Sequence, residues 1–272
     1  PLGEEGAGRF AWFALDLRRQ RLPLAGNWHV FVDGGIRLGG EKVGLGDSAA
    51  VVSGVVRACC RVAGGSEQGE NSGLSLALEA HYRASGNRGS GYDVATSFEG
   101  GTVLYGPPDG LNQLSGSEVT WTPARLQQLS WPDGLYWGCG FCGRGVSTRR
   151  LVDALASQEV EEMKGMARAA QSCIEAFVGG EIPFILENLL ALDPLLDTWS
   201  ARAGVALFTP AMREMREIAL LHGAVPRVSG AGGGDSLLVF SDQEDVVEQV
   251  QLAWEAAGYP RLPLVTMGSR AG

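Results

Sequence analysis

The chain has 272 residues, 45% hydrophobic and 19% charged, the profile of a globular protein of one or two domains and not of a disordered one. Lysine and arginine number 22 against 31 acidic residues, a net charge of −9. That argues against a non-specific nucleic-acid binder but leaves room for a phosphorylated substrate held by a few placed cations.

The opening PLGEEGAGRF has neither a basic nor an apolar stretch, so no leader peptide is expected, and the lack of an initial Met reads as a processed or partial chain. Residues 10–18 (FAWFALDLR) and 28–33 (WHVFVD) are apolar and partly alternating and read as strands, with 34–40 a turn region. Asp47 to Val62 is rich in Ala and Val and reads as a buried helix held by packing. A polar loop at 64–71 follows, then a helix through Tyr82 with Leu74, Leu78 and His81 on one face. NRGSG is a loop, Tyr92 opens a short helix, and TVLY at 102–105 is a strand. Glycines and prolines crowd 106–117 and predict a boundary between domains at 1–106 and 117–272.

The second half continues with strand-like LYWGCGF, helices at about 148–178 and 184–202 parted at Pro183, and a helix at 211–222. Strand-like VPRVSG, a glycine loop at 230–234, the strand SLLVF and a helix at 243–258 complete the series. Strands and helices mix without βαβ alternation, so the class is α+β. No apolar run reaches the ~18 residues of a membrane span, so no membrane partner is expected. The five cysteines are an odd number, with Cys59 and Cys60 adjacent, which suits a reducing cytoplasm better than a disulfide framework. Cys139 and Cys142 form a CxxC, but only Cys173 follows it, so a zinc site lacks its second pair.

Glycine is the compositional outlier, 40 residues or about twice the usual ~7%, and it gathers in three places. EKVGLGDSAAVVSGVV at 41–56 puts a glycine loop before a helix, where free N–H groups suit an anion; a plain helix cap by Asp47 or Ser48 reads equally from these residues. NRGSGYDVATSFEGG at 87–101 puts Asp93 inside a helix N-terminus, where the dipole favours a carboxylate able to orient a nucleophile or hold Mg²⁺. PRVSGAGGGDSLLVF at 226–240 runs a glycine loop straight into a strand, which points to a close backbone approach more than to a linker.

Together these segments resemble the GHMP kinase superfamily, and within it the phosphomevalonate kinase branch. GLGDSAA at 44–50 is similar to the second family motif and SGAGGGD at 229–235 to the third. GSGYDV at 89–94 and GCGFCGRGVSTRRLV at 138–152 are similar to segments of that branch. A sibling decarboxylase has no acid at the position matching Asp93. The family's first motif, a Pro-Gly-Lys strand, has no counterpart in the chain, and Asp47 stands where the family prefers Ser.

The resemblance implies a two-domain fold with ATP in the interdomain cleft, Mg²⁺, and a phosphorylated or hydroxy-acid small molecule as acceptor, in the mevalonate route to isoprenoids. Asp93 and Lys42 would be catalytic. Gly44, Leu45, Gly46, Asp47, Ser48 and Ala49 would wrap the ATP phosphates, with Ser48 and Asp93 on the metal. Arg88, Ser90, Gly91, Ser147, Arg227, Ser229, Gly230, Ala231, Gly232 and Gly233 would meet the acceptor, with Arg144, Arg149 and Arg150 as further candidate anion contacts. An alcohol-phosphorylating relative such as mevalonate kinase, and a catalytically impaired binding protein of the same fold, remain as alternatives.

Overall fold

The computed structural model describes residues 7–21, 30–32, 37–38, 40–63, 73–111, 120–143, 160–230 and 232–262. The contacts form two units, Pro1–Gly35 with Gly46–Ser130, and Ile36–Leu45 with Trp131–Gly272.

In the first unit, α1 (Ala7–Arg21), α2 (Asp47–Ala63), α3 (Gly73–Ala84) and α4 (Tyr92–Glu99) enclose one apolar core. Every residue of α3 from Gly73 to His81 is buried, so α3 is the central helix and the others wrap it. Residues 10–18 are helical and not a strand. Ala11, Ala14 and Leu17 are the buried apolar positions, a helical spacing, and the two alanines let α1 approach α2 and α3 closely. The intervening Phe10, Trp12 and Phe13 make the same stretch look like a strand in sequence. Residues 30–32 form no strand either. An antiparallel hairpin of β3 (Thr102–Pro108) and β4 (Pro123–Leu129) completes the unit, with Tyr105 opposite Leu126. β4 was not anticipated, because its exposed, polar-rich sequence carries no apolar alternation. The stretch expected as a boundary begins inside this hairpin: Gly106 pairs with Arg125.

The second unit opens on a short ladder of β1 (Arg37–Leu38) and β2 (Glu41–Lys42), where a turn alone was expected. Its main sheet has the order β5-β7-β6, from β5 (Tyr136–Gly143), β6 (Val225–Val228) and the central β7 (Asp235–Ser241), all antiparallel. The helices are α5 (Val160–Gly179), α6 (Ile182–Ala203), α7 (Pro210–Leu221) and α8 (Glu244–Ala256). Pro183 does not part α5 from α6. It sits in the first turn of α6, and the chain turns at Gly180 with φ +73°. Gly140 leaves room for Trp254 and Met215 against β5; the Trp254 indole donates to the Met215 carbonyl at 2.8 Å, fixing α8 to α7.

All five cysteines are free. Burial pushes the Cys139 and Cys142 thiols up to about 12, so the CxxC on β5 is a pair of inert thiols.

Candidate active site

In the first unit, the N-terminal turns of α2 and α4 meet the C-terminal part of α3. The Gly46 carbonyl accepts the first helical bond of α2 from Ala50 at 2.9 Å. Gly46 is therefore the cap, and Asp47 and Ser48 lie in the first turn instead of capping it. Ala49 is fully buried. On α4, Gly91 holds the capping position at φ +82°. A Cβ there would strike the Leu78 side chain at 2.6 Å and approach the Tyr105 hydroxyl at 3.1 Å, so the motif requires glycine.

Asp93 follows in the first turn of α4, where the helix dipole favours its charge. Its Oδ1 accepts from the Val94 N–H at 2.9 Å. Its Oδ2 lies 3.8 Å from Nε2 of His81, and the Ser48 Oγ lies 3.2 Å from the same nitrogen. Two hard oxygens from two sequence motifs thus face one imidazole. Burial lowers the His81 pKa below its ordinary value, against the opposing pull of Asp93, so the ring is neutral near pH 7.

Beside these residues is a shallow pocket lined by Leu78, Arg88, Ser90, Gly91, Tyr105 and Trp121, among others. The Tyr105 hydroxyl donates to the Ser90 carbonyl at 2.8 Å. Burial and the Asp93 charge both hold the Tyr105 proton on. Sequence reading placed Arg88, Ser90 and Gly91 here but missed His81 and Tyr105. His81 was visible only as a polar position on an apolar helical face, and Tyr105 as a strand residue.

Within the second unit, the start of the GLGDSAA loop lies against the end of the third motif. A Cβ on Gly44 would overlap the Asp235 side chain, and the Ser236 hydroxyl donates to the Val43 carbonyl at 2.9 Å. Leu45 packs against a cluster of Val43, Cys139 and Phe141. Lys42 is paired in β2 opposite Arg37. The third-motif loop is closed by Ser229 N–H donating to Ser236 O at 3.2 Å, and it is tied to Leu207 O by the Gly233 N–H at 2.6 Å. Gly230 and Gly232 both hold positive φ, and Gly232 packs on Leu207.

Arg227, expected to meet an anionic substrate, is 14% exposed and turned to α6, where it pairs with Asp193 at 2.7 Å. Arg216 of α7 holds the other Asp193 oxygen at 2.9 Å. Ser147, Ala231, Arg144, Arg149 and Arg150 lie outside the described residues.

Magnesium binds oxygen donors, commonly one or two carboxylates with substrate phosphates completing the shell. Ser48 and Asp93 fit that pattern. Among the described residues no three His, Cys, Asp or Glu side chains gather into a metal cage.

The family model for the C-terminal region of GHMP kinases matches residues 185–260. Phosphomevalonate kinase of Streptomyces sp. (strain CL190) is 30% identical over 83% of this chain, and the chain spans 64% of that curated relative's length. Among solved structures, the Lin0012 protein of Listeria innocua matches with a TM-score of 0.81 at 23% identity, over 94% of this chain and 77% of that one. Streptococcus pneumoniae phosphomevalonate kinase, in complex with phosphomevalonate and AMPPNP, matches with a TM-score of 0.67 at 22% identity, over 83% of this chain and 69% of that one. No helix among the described residues is long and apolar enough to cross a membrane.

Proposed function

We propose, from the premise that this chain has the GHMP kinase fold and resembles phosphomevalonate kinase, that it transfers the γ-phosphoryl group of ATP to the phosphate of 5-phosphomevalonate, giving ADP and 5-diphosphomevalonate. The observation that carries this reading is the convergence of Ser48, from GLGDSAA, and Asp93, from GSGYDV, on one buried imidazole.

Phosphoryl transfer depends on positioning and charge neutralisation more than on covalent help from the protein. The backbone N–H groups at the start of α2, beyond Gly46, suit the ATP phosphates. Ser48 and Asp93 would hold Mg²⁺, which, when bound, neutralises charge on the transferring group. A phosphate acceptor is already largely ionised at pH 7, since its second pKa is about 6. Asp93 therefore serves to orient and organise, and no strong base is needed. Tyr105 keeps its proton and fixes the Ser90 carbonyl, which sets the glycine turn before Asp93. Arg88 lines the pocket beside this turn and is the cation best placed there to meet an anionic acceptor. The five free cysteines suit a cytoplasmic location.

A coupled ADP-release assay with phosphomevalonate, mevalonate, homoserine and galactose tests the proposal. ATP turnover that depends on phosphomevalonate supports it, and turnover with an alcohol alone reassigns the acceptor. A protein that binds MgATP yet turns over none of the four overturns the kinase reading.

A further inference from the structure

We propose that His81 is a positioning residue: its Nε2 fixes the Ser48 hydroxyl and the Asp93 carboxylate in one arrangement before any ligand arrives. The inference rests on the reading of Ser48 and Asp93 as the groups that serve Mg-nucleotide and acceptor. Nε2 is 3.2 Å from Ser48 Oγ and 3.8 Å from Asp93 Oδ2, so α3 places one imidazole nitrogen within 4 Å of both oxygens.

The ring itself is held. His81 is 9% exposed, and Phe10 of α1 lies over it with ring centroids 5.2 Å apart and planes tilted by 31°. The His81 carbonyl accepts from Ser85 N–H at 2.8 Å, which anchors the end of α3. A packed ring on the central helix is a stiffer support than the two first-turn side chains it touches.

The proton position follows from charge. A carboxylate 3.8 Å from Nε2 favours an N–H there over a lone pair, because the lone pair would face an anion. Nε2–H then donates to Ser48 Oγ, which keeps its own proton and a second lone pair for a ligand. Outer partners that orient ligating groups are worth about 10–100-fold in metal affinity or activity.

The test is a double-mutant cycle on the full chain, read by MgAMPPNP affinity in titration calorimetry and by kcat and KM. His81→Leu keeps bulk and removes the nitrogen. We expect it to weaken MgAMPPNP binding about 10-fold or more and to lower kcat, with little effect on the acceptor KM. In a Ser48→Ala background the same change should cost MgAMPPNP affinity less than about threefold, because the group through which His81 acts on the nucleotide is gone. His81→Gln carries an amide nitrogen near the Nε2 position and should restore most of the loss, whereas the shorter His81→Asn should not. Where His81→Leu fails to fold, the Gln and Asn pair decides. Equal losses in both backgrounds, or a folded Gln variant no better than Asn, overturn the inference alone. Wild-type protein that binds no MgAMPPNP overturns the functional reading beneath it.

Discussion

Gly44 is bare where Asp235 needs space: a Cβ built on Gly44 would overlap the Cβ and Cγ of Asp235. Both residues carry positive φ, +73° at Gly44 and +64° at Asp235. The Asp235 side chain thus dictates a glycine at position 44. Gly44→Ala should destabilise the protein by more than the ~1–2 kcal/mol of a left-handed alanine, because contact adds to conformation. Asp235→Gly in the same chain should recover the contact part. Urea unfolding of the single and double variants checks this, and a double variant with no recovery would contradict the relationship.

Gly46 differs from Gly44. Its φ is +84°, but nothing lies within 4 Å of a Cβ built there. Gly46→Val should therefore fold, at a conformational cost, while its side chain blocks the approach to the α2 N-terminus. MgATP affinity should fall at least about tenfold, the scale of one or more lost charge-assisted hydrogen bonds. Unchanged affinity in calorimetry would remove the loop from the site.

Asp193 joins α6 to Arg227 on β6 and Arg216 on α7, and its side chain is only 3% exposed. Burial raises its pKa while both guanidiniums lower it, so the carboxylate depends on its partners. Asp193→Ala leaves the largely buried Arg227 without its carboxylate and Arg216 with Asp197 alone, and should cost about 3–5 kcal/mol in denaturant unfolding. A loss below ~1 kcal/mol, the range of a surface pair, would show that the network is not structural.

His81 predicts a pH effect of definite sign. Its pKa is lowered in the folded protein, chiefly by burial, from the ordinary 6.5. The unfolded chain therefore takes up the proton first as pH falls. The stability tied to the neutral ring is present above about pH 6.5 and is lost below it, toward the lowered folded-state value. Melting temperatures of wild type and His81→Gln should converge or cross between pH 7 and pH 5. Parallel curves over that range would mean that the ring is not held neutral.

Much of this was legible in sequence because glycine and aspartate carry positional meaning. GSGYDV announced a turn into a helix with an acid in its first turn, and the structure has that turn at Gly91 and that acid at Asp93. GLGDSAA announced a loop into α2. What failed was read from apolar runs without a partner in view. Residues 10–18 alternate well enough for a strand, and only packing against α2 and α3 selects the helical face of Ala11, Ala14 and Leu17. Arg227 illustrates a different limit: its cation was recognised, but Asp193, 34 residues away in sequence, was not foreseen as its partner. His81 was hidden for the same reason, since Ser48 lies 33 residues before it.

On the proposed function, Asp93 orients the acceptor and the metal-bound phosphate in a phosphoryl transfer and is more than a dipole-compensating acid. The most direct measurement is kcat for phosphomevalonate and ATP in wild type and in Asp93→Asn, which keeps the shape and the Val94 N–H acceptor while removing the charge. With Asp93 in this orienting role, kcat should fall at least ~10²-fold, the scale of lost positioning, while MgATP affinity changes little if the N-terminus of α2 carries most of the nucleotide binding. A folded, ATP-binding Asp93→Asn protein with near-normal turnover would contradict it.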